Sequence, residues 1–200
     1  MGETNYSLAG DLNEAKKMAD GLEQYIQTDQ IYGTVGGGFF SGGSMPSLTT
    51  GALLMRVRRL RAREEELTSA QRGELGGIED EIARVRSKWR AHFDQKVERE
   101  AHSRLKSLGQ YFEDLRDDPR AAANAWLPEA LRRTIIYELD RAMQEYGLER
   151  GDLPQRINGM DAALRRQTEK SPFIWSPELE AVYPADTFWW LYARPPKPKK

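Results

Sequence analysis

The feature that most constrains this chain is a stretch without proline from Ser69 to Asp117. Apolar residues fall along it at Leu75, Ile78, Ile82, Val85, Trp89, Phe93, Val97, Ala101, Leu105, Leu108, Phe112 and Leu115. Steps of three and four mark one face of an α-helix, and Thr68 with Gln71 supplies a capping box at its start. The steps read as heptads at both ends and as consecutive fours in the middle. A run of fours drifts away from a left-handed supercoil, so irregular bundle packing is expected over a uniform two-stranded coiled coil. Unbroken, such a helix would run roughly 73 Å at about 1.5 Å per residue, whereas a compact chain of this size is only about 40–45 Å across. Either the molecule is elongated or the helix breaks, and Gly109 is the expected break.

Shorter helices flank it. Asp11 and Glu14 form a capping pattern, and Leu12, Ala15, Met18, Ala19, Leu22, Tyr25 and Ile26 continue at helical spacing, predicting a helix over about 11–28. Residues 32–46 carry six glycines and a proline, which no regular element accommodates. A helix from about Ser47 to Leu67 follows, long enough to fold back over the first half of the long helix. Pro128–Tyr146 can cover the second half, with Pro128 at N1 and Gly147 past the end. A further helix is expected from Asp152 to about Lys170. The chain can thus bury its own seam; a dimer is permitted and not required. The expected fold is all-α: an elongated helical bundle with one long central helix and an irregular aromatic C-terminal strap. In domains, residues 1–170 form the bundle and 171–200 a Pro- and aromatic-rich extension, with Lys197–Lys200 expected as a disordered tail.

Composition narrows function. The chain has no cysteine, which excludes disulfide scaffolds, thiol nucleophiles and cysteine metal sites. The N-terminus is acidic without an apolar core, unlike a signal peptide, and no apolar run approaches the roughly 20 residues that span a bilayer. A cytoplasmic protein is expected. Thirty basic residues against 31 acidic leave a net charge of −1, which argues against coating nucleic acid or membrane by bulk electrostatics. That balance is a cancellation between blocks: −4 over residues 1–50, +4 over 51–110, −3 over 111–150 and +2 over 151–200. Acidic helices are therefore expected to dock on the basic middle.

Candidate sites are few. The Gly-rich loop running into a helix could present backbone N–H groups to phosphate, but no lysine occurs between Lys17 and Lys88, and no strand is expected before it as a dinucleotide fingerprint requires. Phe39 and Phe40, flanked by glycines, are instead expected to tuck into the protein's own core or a partner's groove. Arg56, Arg59 and Arg63 share one helical face that could track phosphates, although Arg61 with Glu65 and Arg63 with Glu66 can pair along the helix. His92 and His102 lie about 80° apart on the helix by the 3.6-residue period and make no joint metal site. Asp94, Glu98 and His102 fall at i, i+4, i+8, without the paired Glu-x-x-His motifs of di-iron bundles. Ser103 and Lys106 match one β-lactamase spacing in mid-helix, without its companion motifs. Trp189 and Trp190 are adjacent and cannot both face one core, so one is a candidate surface anchor. Read together, these residues predict no catalytic centre, no cofactor and no metal. The expectation is a non-enzymatic scaffold, adaptor or small helical subunit of a larger assembly, with a protein partner or self-association. The alternative is a nucleic-acid-binding accessory subunit using the Arg56–Arg63 face.

Overall fold

A computed structural model describes residues 5–34, 47–117 and 124–196. The protein is all-α, and the only sheet among the described residues is a two-stranded antiparallel pair. Its contacts divide the chain into two units, residues 7–100 and residues 101–200 with the first six residues.

In the first unit, α1 (Leu8–Asp20) packs on both α3 (Thr50–Ala62) and α4 (Ser69–Lys88), and the short α2 (Leu22–Ile26) also meets α4. Helix α1 starts a turn earlier than its sequence suggests, because the Ser7 hydroxyl accepts from the Gly10 N–H at 3.2 Å and caps it. Asp11 is thereby freed from capping and turns inward. The expected 11–28 helix is interrupted at Gly21, and the expected 47–67 helix ends at Ala62 and passes into a 3-10 turn over Glu64–Glu66. Thr68 and Gln71 form the reciprocal capping box that opens α4. Leu12, Ala15, Met18, Leu53, Leu60, Leu75, Ile78 and Val85 are buried together as the core of this unit.

The long central segment is interrupted at Trp89, not at Gly109. Trp89 (φ −121°, ψ 38°) separates α4 from α5 (Arg90–Asp117), which runs straight through Gly109. The Trp89 N–H still bonds Val85 O, and the Phe93 N–H bonds Trp89 O, both at 2.8 Å. Two backbone hydrogen bonds therefore still bridge the interruption. Phe93, Val97, Ala101, Leu105 and Leu108 are buried as their spacing predicts. Beyond Leu108 the run of fours has rotated the face, so Tyr111 is buried and Phe112 only half-buried.

In the second unit, α6 (Trp126–Glu145) begins two residues before Pro128, which sits in the first turn, where its missing N–H breaks no helical bond. It ends in a Schellman turn: Gly147 adopts φ +66°, its N–H bonds Gln144 O, and the Leu148 N–H bonds Met143 O. Helix α7 (Leu153–Gln167) follows. The chain then passes through strand β1 (Glu169–Lys170), 3-10 turns at Pro177–Val182 and Trp189–Tyr192, and strand β2 (Ala193–Arg194), which pairs back on β1. The aromatic stretches 173–175 and 188–192 meet where the Ile174 N–H bonds Leu191 O at 3.0 Å. Ile174, Trp175, Leu179, Tyr183, Phe188, Trp190 and Leu191 are buried, and the rings meet edge to face: Trp175 on Tyr183 at 5.2 Å, Tyr183 on Phe188 at 4.9 Å, and Phe188 on Tyr137 of α6 at 4.7 Å. Residues 171–196 are thus part of this unit's core rather than an extension laid over a finished bundle.

Candidate functional site

Two polar constellations organise the first unit. One is a buried charge network between α1 and α3. Arg56 Nη2 donates to Glu14 Oε2 at 2.6 Å and its Nε to the same oxygen at 3.0 Å, while its Nη1 bonds Ala52 O. Asp11 lies 3.7 Å from Arg56 Nε and 3.6 Å from Arg59 Nη1. Arg59 is only 2% exposed, so its charge has exchanged water for these partners. The network gives the basic and acidic blocks of the sequence a physical meeting place. At the start of α3, Glu100 of α5, fully buried, accepts from the Gly51 N–H at 2.9 Å, and Thr49 caps the helix through Ala52 N–H. The N-terminal dipole that could attract a phosphate is thus held by a carboxylate of the chain itself.

The other constellation secures the ends of the Gly-rich segment. Gly33 and Leu48, which flank the segment in sequence, exchange both backbone hydrogen bonds at 2.9 Å. Gly33 is required there, since a Cβ would lie 2.8 Å from the Tyr25 ring. The Tyr25 hydroxyl donates to Ile31 O at 2.6 Å, Lys96 Nζ lies 4.3 Å from the Tyr25 ring centroid and donates to Gln30 O, and Arg99 donates to Asp29 O. Lys96 is 3% exposed; burial, with Arg99 nearby, lowers its pKa. Three side chains thus fix the turn from which the segment departs.

The predicted residues fall as follows. Phe39 and Phe40 lie outside the described residues. Arg56 and Arg59 face α1, which corrects the picture of an outward phosphate-tracking face at two of its three positions. Arg63, half-buried, forks onto Glu66 at 2.6 and 2.7 Å; Arg61 binds Glu64 and Glu79 rather than Glu65. Trp190 is 1% exposed: its indole N–H donates to Thr134 Oγ1 at 2.9 Å, and the Arg133 guanidinium, which forks onto Asp161, stacks 4.0 Å from its ring. Trp189 is the half-buried member of the pair, with Arg165 stacked 3.9 Å from its ring. The two adjacent indoles thus differ in burial, Trp190 fully inside and Trp189 half-buried.

Comparison of the chain with protein-family models, curated proteins and solved structures found no match.

His102 accepts from Arg156 at 2.9 Å, and His92 packs edge-on against Trp89. Among the described residues, no group of three His, Asp or Glu is placed to hold a metal ion, and no helix is long and apolar enough to cross a membrane. A shallow cleft of about 480 Å³ lies between α1 and α4, with Lys16, Asp20, Glu74 and Glu81 around Gly77 and Ile78. Sequence reasoning missed Glu100 and Lys96. Their only signal was position: they sit four apart beside Phe93, Val97 and Ala101, where a widened stripe marks a face too buried for solvated charge.

Proposed function

We propose that this chain is a non-enzymatic protein-interaction scaffold or small helical subunit that presents its Gly-rich segment to a protein partner. The observation carrying this reading is the fixed base of that segment: the Gly33–Leu48 bridge, braced by Tyr25 and Lys96. A two-point attachment lowers the entropy a segment loses when it engages a partner, and between those points the sequence places Phe39 and Phe40 among glycines. The arginines and carboxylates of α1 and α3 support the same reading, since they are spent on holding helices together.

The test compares the full chain with Phe39→Ser/Phe40→Ser, tagged and expressed in its source cell. The wild type should retain a defined set of proteins, or a second copy of itself by sedimentation, and the variant should lose it at unchanged melting temperature. A wild-type chain that sediments as a monomer and retains nothing, or a variant that retains the same partners, would overturn the proposal.

A further inference from the structure

One contact in the second unit fixes the protonation state of a titratable ring. Arg156 Nη1 of α7 lies 2.9 Å from Nδ1 of the half-buried His102 on α5. A guanidinium carries donors and no acceptor, so Nδ1 is the acceptor here and the ring proton sits on Nε2. The bond therefore exists only while His102 is neutral. Protonation turns the acceptor into a second donor and sets imidazolium against guanidinium at contact distance. Imidazole changes charge between about pH 5 and 8, so the contact is exposed to titration in that range.

Both partners have a second place to rest. Asp152, one turn back on α7, lies 3.8 Å from the same Arg156 Nη1 and stands at the helix N-cap without a side-chain capping bond. Its carboxylate can take up the guanidinium that His102 releases. On α5, the exposed Glu98 precedes His102 by four residues, the spacing at which side chains of one helix meet. The other charges within a turn of the ring on α5 are Arg99, which donates to Asp29 O, and the exposed Lys106. Two arrangements thus compete: one bridges α5 to α7, and the other keeps each charge within its own helix. From this geometry we infer that His102 and Arg156 form a pH-sensitive latch between α5 and α7, closed while the imidazole is neutral and opened as it protonates. The latch acts on the first half of α7, where Leu153 and Ile157 are buried and Met160 approaches Gly109 of α5. That apolar burial keeps α7 seated in both states, so the latch sets how often this half opens. The inference is independent of the Gly-rich segment.

The experiment follows amide hydrogen exchange of the full chain from about pH 8 to about pH 5, expressed as protection relative to the intrinsic rate at each pH. Losing one net hydrogen bond should lower protection over Leu153–Met160 by about 2- to 10-fold at the acid end. His102→Asn offers an acceptor near the position of Nδ1 that does not titrate, so its protection there should not vary across the range. Arg156→Met keeps the aliphatic stem and removes the donor, so protection should be low and equally insensitive to pH. Two-bond 1H–15N spectra read the tautomer directly, with His92, the one other histidine, as the internal reference. His102 should carry its proton on Nε2 at the neutral end. A proton on Nδ1 there, wild-type protection that does not change, or an acid loss that persists in either variant would overturn the inference.

Discussion

Arg59 shows what a single side chain does in this fold. It is almost completely buried, beside Asp11 and packed on Met55 Sδ, so removing it strands charge in the interior. Arg59→Ala should lower unfolding free energy by about 3–5 kcal/mol, whereas Asp11→Leu/Arg59→Met should recover much of that loss. Urea melts of Asp11→Leu, Arg59→Met and the double variant would read the coupling directly. Glu23 makes a pH-dependent contribution at the surface. Hydrogen bonds from Lys88, Trp89 and Arg84 hold its pKa at about 2 against an ordinary 4.5. A depressed carboxylate pKa stabilises the fold above its unfolded value, and that contribution disappears as pH falls through the folded value. The melting temperatures of wild type and Glu23→Gln should therefore differ by a constant amount above pH 4.5 and converge as pH approaches 2. Glu23 was not singled out from sequence, and Arg59 was read as part of an outward face, because Asp11 and the partners of Glu23 lie on other helices.

Helices were more legible. The capping box at Thr68, the turn at Gly147 and the buried face Leu75, Ile78, Ile82 and Val85 follow from spacing alone, because each depends on residues within a turn or two. Interruptions were harder to place. Gly109 carries a real helix-propensity penalty, yet α5 runs through it, while Trp89 departs from helical geometry where its indole N–H reaches Glu23 of α2. A long-range hydrogen bond overrides a local preference there. Helix α4 holds three glycines, Gly73, Gly76 and Gly77, at each of which an added Cβ would meet nothing within 4 Å. Gly73→Ala and Gly76→Ala should accordingly raise stability by about 0.5–1 kcal/mol each, seen as a higher denaturation midpoint at unchanged m-value.

Across the whole molecule, charge is cancelled twice over: residues 7–100 sum to −1 and residues 101–200 to +1. Composition reported the total, and only tertiary structure shows which pairs produce it. Each unit also has its own core, the second built on the 171–196 segment that its prolines made look peripheral. Pro172, Pro177 and Pro184 exclude regular helix, so periodicity had nothing to report there, although the density of rings was itself a burial signal. Trp190→Ala should cost about 3–5 kcal/mol and lower hydrogen-exchange protection across α6 and α7, while amides of α1 and α3 keep theirs. Equal loss in both units would contradict a core confined to the second.

The five tryptophans divide unevenly between these cores: Trp126, Trp175, Trp189 and Trp190 belong to the second unit, and Trp89 stands alone in the first, beside His92 and hydrogen-bonded to Glu23. Intrinsic emission of the native chain is therefore a readout weighted toward one half. A variant retaining only Trp89 would turn the same light into a local optical gauge of the α4–α5 junction.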